Sequence, residues 1–219
     1  GTMIRVFGRP VQVVSTERPA PRLKRVRFQG PSLQGSDLAP HDHVEFRVDP
    51  RCFRHYTPAA SNGSAGTLDV LFFLHGMGPG SAWADGLGEG DDASLLGPGA
   101  GRFRVDTQAR SHLLLGDETC IGLAEFMAHG LTDLQACLEV APDCAEAARQ
   151  AGAHTVERTT RGDALVAWLE AHPPAPEQAV YLAGHAPTIQ RLRQVLRAQQ
   201  VAPGRIRVDP YWADGKRGL

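Results

Sequence analysis

Residues 53–61 read FRHYTPAAS, and three side chains in that stretch have the types that a flat, phosphorylated cofactor needs. Arg54, Tyr56 and Thr57 offer a guanidinium, an aromatic ring and a hydroxyl. Side chains alternate faces along a strand, so Arg54 and Tyr56 share one face and Thr57 lies on the other. A guanidinium pairs with phosphate through two parallel hydrogen bonds. An aromatic ring stacks on a conjugated system, and a hydroxyl can bond the edge of that system. The stretch suits equally well a strand with a satisfied arginine and a core tyrosine. These residues alone leave both readings open.

A second stretch, HGMGPGSAWA over residues 75–84, follows an apolar run and opens a helix. Pro79 fits the first helical turn. Unpaired amides and the positive end of the dipole make such a start able to hold an anion. Gly78 and Gly80 allow close approach of a pyrophosphate to backbone, and Ser81 adds a hydroxyl. The pattern is neither a GK[ST] phosphate loop nor a GxGxxG fingerprint, and a plain turn is the alternative. Elsewhere, His41 and His43 put two imidazoles on one strand face without a recognisable third metal ligand, so no metal site is expected. Trp168, in LVAWLEAH, and the apolar side of RLRQVLR read as core. No GxSxG nucleophile motif is present. Cys52, Cys120, Cys137 and Cys144 lack CxxC spacing and read as reduced, buried thiols.

The elements that must position these residues change character along the chain. Up to residue 104, PVQVVST, LKRVRFQG, HVEFRVD, RHYTPAA, TLDVLFFLHG and DDASLLGPG read as six short strands bounded by Pro, Gly and Asp. That pattern predicts a six-stranded antiparallel barrel. From Ser111 onward strand and helix alternate, which predicts a parallel sheet covered by helices. Ligands of such sheets bind at the carboxyl ends of the strands. Those ends are Gly116-Asp117, Val140 onward, Gly184-His185 and Asp209–Tyr211. The expected boundary lies near Gly97–Gly101, giving domains 1–104 and 105–219. A barrel followed by a nucleotide-type α/β domain is one way to bring a flavin and a pyridine nucleotide together.

The 219 residues are 42% hydrophobic and 21% charged, enough apolar side chain for packed cores. With 23 basic and 24 acidic residues the net charge is −1, which points to neither a nucleic-acid nor a membrane-surface partner. No apolar run is long enough to span a bilayer. No signal segment stands at the start, and cytoplasmic location is the expectation.

RHYT, LHGMGPGSAWA, LLGPGAGRF, LLLGDET, YLAGHAPTIQRLR and YWADGK occur in an order that resembles the siderophore-interacting protein family of flavin-dependent ferric-siderophore reductases. The family's pieces are R-x-Y-T-x-R, H-G-x-x-G-P-A-x-x-W-A, G-P-R-G, G-D-E-T-A-L-P-A, A-G-E-A and G-Y-W-R-x-G. The resemblance spans nearly the whole chain. It implies a ferredoxin-reductase-like protein with an FAD-binding barrel and an NAD(P)H-binding-like α/β domain. It would pass electrons from NAD(P)H to a ferric siderophore as a monomer, with the flavin and no side chain as the catalytic group. On this resemblance Arg54, Tyr56 and Thr57 hold the flavin. His75, Gly76, Gly78, Pro79, Gly80, Ser81 and Trp83 form its phosphate loop. Asp117, Glu118 and Thr119 sit at the nicotinamide-side entrance, Trp212 is a cofactor residue, and Lys216 and Arg217 are the cations left for substrate.

The sequence departs from the family pattern mainly in charge. Ala59 and Ala100 replace arginines, His185 replaces the acid of A-G-E-A, GDETCIGL loses A-L-P-A, and Ala213 and Asp214 follow Trp212 where basic residues are usual. A lost charge-assisted phosphate contact costs roughly 1.5–3 kcal/mol. Arginine restored at 59, alone or together with 100, is therefore expected to tighten FAD. The alternative reading is a diverged, non-catalytic flavin- or ligand-binding protein of the same fold.

Overall fold

A computed structural model describes residues 8–36, 38–40, 42–100 and 104–216. The chain divides into two compact units, Gly1–Gly101 and Arg102–Leu219.

In the first unit the strands are β1 (Arg9–Ala20), β2 (Leu23–Gln29), β3 (Asp42–Asp49), β4 (Cys52–Tyr56), β5 (Pro58–Asn62), β6 (Thr67–Phe73) and β7 (Asp92–Ala100), with helix α1 (Gly78–Gly86) between β6 and β7. They form one antiparallel sheet in the order β4-β3-β7-β1-β2-β6-β5. The sheet has seven strands where the sequence pattern predicts six, because RHYTPAA is two strands. β4 pairs with β3, while β5 pairs with β6 at the other edge. Pro58 has no amide to donate and opens the new strand. Only Thr57 separates the two edges in the chain, so the sheet must curl on itself. It is barrel-like but not closed. Period-2 alternation sends Val26 and Phe28, Val44 and Phe46, and Leu68, Val70 and Phe72 into one core. Outside it, Arg27 pairs across the β2–β6 ladder with Asp69 through two hydrogen bonds of 2.7 and 2.8 Å.

The second unit alternates β8 (Ser111–Asp117), α2 (Ile121–Gly130), β9 (Leu134–Val140), α3 (Ala145–Gln150), β10 (His154–Glu157), α4 (Asp163–Ala171), β11 (Gln178–His185), α5 (Ala186–Ala198) and β12 (Ile206–Trp212). Its sheet is parallel, in the order β10-β9-β8-β11-β12. All of β11 and all but the first residue of β8 are buried, as strands covered on both faces require. α4 and α5 pack Leu165, Trp168, Leu169, Ile189, Leu192 and Leu196 against Leu113, Leu115, Val180 and Leu182. Arg193 and Arg197 lie on the exposed side of α5. The strand order reverses between β8 and β11. Their carboxyl ends, Asp117 and His185, therefore flank the crevice where such sheets take ligands. Among the described residues no helix is long and apolar enough to cross a membrane.

Candidate functional site

In the first unit the two stretches singled out above meet. After β6, Gly76 (φ +79°) and Gly78 (φ +80°) take the left-handed conformation and turn the exposed loop into α1. Ser81 Oγ accepts the Gly76 amide at 3.2 Å, so this hydroxyl closes the turn. His75 and Pro79 are exposed in the same loop, and His75 Nδ1 accepts the Met77 amide at 3.4 Å. Gly80 faces β4 instead of solvent. A β-carbon there would stand 2.6 Å from Tyr56 Oη and 3.3 Å from Arg54 Cγ. The missing side chain at 80 thus makes room for Arg54 and Tyr56.

The Tyr56 ring lies 4.7 Å from Phe72 edge-on, 6.2 Å from Phe46, and 6.4 Å from Trp83 with 27° between planes. Burial there pushes its hydroxyl up to about 12, against an opposing pull from Arg54, so the phenol keeps its proton. Trp83 packs on the same apolar core. The half-buried Arg54 donates Nη1 to Phe53 O at 2.8 Å, and no carboxylate among the described residues pairs with it. Thr57 is half-buried between β4 and β5. Ala59 is fully buried, so an arginine in its place would enter the core. The expectation that Ala59→Arg tightens FAD is corrected by that burial.

In the second unit the carboxyl ends are held by buried carboxylates. Asp117 Oδ1 accepts Thr119 N at 2.9 Å and Thr119 Oγ1 at 2.5 Å. Asp117 Oδ2 accepts His185 N and Trp212 Nε1, each at 3.0 Å. Burial pushes this acid up, and the bonds from Thr119 and Trp212 oppose it. Glu118 is buried, accepts Ala141 N at 3.0 Å and pairs with Arg158 at 2.6 Å. Glu139, at the end of β9, accepts the amides of Gly162, Ala164 and Leu165 at 2.6, 3.1 and 3.4 Å. These are the orphan amides of α4, whose first turn has no cap of its own. His185 joins Thr188 Oγ1 at 2.9 Å and Asp214 Oδ2 at 3.0 Å. Its ring lies 4.5 Å from Trp212, and the Arg161 guanidinium covers that indole at 4.6 Å. The cavity among Asp117, Glu139, Arg161, His185 and Thr188 is about 10 Å³, the size of one water.

Residues 38–102 match the siderophore-interacting FAD-binding domain, and residues 109–215 match the siderophore-interacting protein model. The chain belongs to the siderophore-interacting protein family. A siderophore utilization protein from T. fusca superposes over 97% of this chain and 95% of its own, at 26% identity and a TM-score of 0.80. SipS, a siderophore-interacting protein from Aeromonas hydrophila, covers 95% and 93% at 22% identity and 0.79. The flavohem-like FAD/NAD-binding domain of a Vibrio cholerae nitric oxide dioxygenase covers 94% and 99% at 17% identity and 0.74. The last two show the fold alone. No curated protein matches the chain.

The first unit fits the FAD that its domain model names. It brings together a half-buried guanidinium that no described acid pairs with, a solvent-facing glycine turn and an aromatic cluster. Arg54 and Tyr56 share one face of β4, as the period-2 pattern implies, and both approach Gly80. In the second unit Asp117 holds Thr119, His185 and Trp212, and Glu118 holds Ala141 and Arg158. Lys216 is exposed, and Arg217 lies outside the described residues, as does His41. Among the described residues no group of three or more His, Cys, Asp or Glu is set to hold a metal. Sequence reading missed Glu139, Arg158, Arg161 and the pairing of His185 with Asp214. A helix that starts at Gly162 without a Ser, Thr, Asn or Asp cap was the available signal for Glu139.

Proposed function

We propose that this siderophore-interacting protein is a flavin-dependent oxidoreductase that passes electrons from NAD(P)H to a ferric siderophore. The observation that carries the reading is the meeting of Arg54, Tyr56 and Gly80 inside the segment that matches the FAD-binding domain, with no described acid on Arg54. Arg54 would take the pyrophosphate together with the turn of His75, Gly76, Gly78, Pro79, Gly80 and Ser81. Tyr56, Trp83 and Thr57 would order the ring system. Bound FAD supplies the step that accepts a hydride from the nicotinamide and returns two single electrons to two ferric ions. Ferrous iron is held less well by hard oxygen donors, so iron leaves the chelate. Asp117, Glu118, Thr119 and Trp212 would frame the nicotinamide side, and Lys216 and Arg217 would meet the siderophore. No side chain serves as acid or base. Residues 1–104 would be the FAD domain and 105–219 the nucleotide domain, working as a cytoplasmic monomer without nucleic acid or membrane.

The buried Ala59 and the internally paired carboxylates of the second unit favour a second reading, a flavin-binding protein without reductase activity. The purified protein decides between them. Denaturation should release a chromophore that chromatographs as FAD. Anaerobic NADPH should bleach the yellow colour, and a ferric hydroxamate or catecholate complex should restore it while a ferrous chelator reports iron. A yellow protein that NADPH and NADH leave unbleached supports the second reading. A colourless protein that takes up no FAD on titration sinks both.

A further inference from the structure

We infer that Asp117 is a positioning residue, whose carboxylate sets the orientation of the Trp212 indole at the carboxyl edge of the second unit. The inference rests on the reading above only in giving Trp212 a part at the nicotinamide side.

Its basis is a register shift. β11 and β12 pair in step through Gly184 and Pro210, but His185 faces Trp212, so Tyr211 is the extra residue of a bulge. A bulge re-aims a side chain and takes an amide out of the ladder. Asp117 accepts both products of that irregularity, the His185 amide and the Trp212 Nε1–H, on the same oxygen, each at 3.0 Å. Gly184 permits the approach: its φ is +94°, and a β-carbon there would stand 2.8 Å from Asp117 Oδ2. The other oxygen takes the two Thr119 donors. Each oxygen therefore meets two donors, and three of the four, the amides of Thr119 and His185 and the Trp212 indole, can only donate. The shell is built for a carboxylate. His185 and Arg161 pack on the indole ring. Neither contact fixes which edge of the indole points inward. The bond to Asp117 does.

The three tryptophans give three indole N–H signals in a ¹⁵N spectrum, and Trp212→Phe identifies the one that matters. In the unaltered protein the Trp212 signal should be protected from exchange although the residue is only half-buried. Exchange as fast as a free indole overturns the inference without any substitution at 117. In Asp117→Asn one oxygen and one amide must meet four donors. The Trp212 signal should shift and exchange at least about tenfold faster, as expected for loss of one charge-assisted hydrogen bond, while the Trp83 and Trp168 signals stay. An unmoved Trp212 signal refutes the positioning role. Steady-state kinetics with NADPH separate this result from the functional reading. Trp212→Phe and Asp117→Asn should raise the KM for NADPH more than they lower kcat, and the double variant should be no worse than the single ones. If the indole signal moves while neither variant alters NADPH oxidation, the positioning stands and the nicotinamide-side role of Trp212 falls.

Discussion

Gly80→Ala tests the contact between α1 and β4 on which the flavin reading depends. Two terms oppose each other. Alanine in place of glycine in a helix contributes about 0.5–1 kcal/mol of stability. Against that, the new β-carbon would lie 2.6 Å from Tyr56 Oη, closer than any relaxed contact, and 3.3 Å from Arg54 Cγ. Overpacking of this kind costs about 1–3 kcal/mol. Overpacking wins, and Gly80→Ala should lose about 0–2.5 kcal/mol net. The decisive partner is Tyr56→Phe. It removes only the oxygen, and the next atom of that ring, Cζ, is 3.8 Å away, an ordinary contact. In the Tyr56→Phe background the alanine should become neutral or stabilising. Urea unfolding of the four proteins of the cycle gives the coupling, expected at about 1–3 kcal/mol. FAD titration of the same four should show affinity lost in Gly80→Ala and recovered in the double variant. Equal costs of Gly80→Ala in both backgrounds would refute the reasoning, because Tyr56 would not then be what the missing side chain accommodates.

Ala59→Arg should destabilise the first unit by about 3 kcal/mol or more, since Ala59 is fully buried and a guanidinium there would be an uncompensated buried charge; a stable variant with tighter, salt-sensitive FAD binding on titration would show that β5 opens to the cofactor. Tyr56 should make stability fall between pH 10 and about 12, because there the unfolded chain loses a proton that the folded hydroxyl keeps. The loss is at most about 2.7 kcal/mol, less where solvent screens it, and a Tyr56→Phe protein with an identical pH profile in chemical denaturation would contradict the assignment. Glu139→Gln should lower the thermal midpoint of the second unit, with a cost of about 1–3 kcal/mol, because one amide oxygen must replace a carboxylate across three backbone donors; an unchanged midpoint in calorimetry would mean that water caps α4 equally well.

The alternation of strand and helix after Ser111 was legible because each element is long enough to show its period and is closed by its own Gly or Pro. The split of RHYTPAA at Pro58 was missed, because the residues on either side read as a continuous strand. Within the site, period-2 alternation put Arg54 and Tyr56 on one face. It could not show that Gly80 serves them, since that contact joins residues far apart in sequence through a curled sheet. Glu139 was invisible for a related reason. An isolated acid at a strand end carries no pattern, and what it satisfies is an absence, the uncapped start of α4 at Gly162.

The departures from the family pattern are not independent losses of charge. His185 stands where the family has an acid, and Asp214 falls in the segment after Trp212 where it has cations. The two side chains meet at 3.0 Å, so these two departures share one hydrogen bond in the structure. Arg158 is likewise committed, to the buried Glu118. The half-buried Arg158 cannot leave the buried Glu118 for a phosphate without stranding that carboxylate, which costs about 3–5 kcal/mol, less where solvent reaches the pair. Arg54 bears no such commitment: among the described residues it holds a carbonyl at 2.8 Å and no acid, and a phosphate could claim it at the loss of one neutral bond, about 1 kcal/mol. That difference favours Arg54 over Arg158 as a ligand for an anion. On the proposed reading, NAD(P)H in the second unit would find Arg158 already taken and would rest on shape, ring stacking and backbone, with Arg161, stacked on Trp212, as a cation that no described acid pairs with. It follows that raising the salt concentration should weaken FAD binding more than NADPH binding. Equal salt dependence of the two titrations would show that cations of the second unit, Arg161 among them, carry as much of the phosphate charge as Arg54 does.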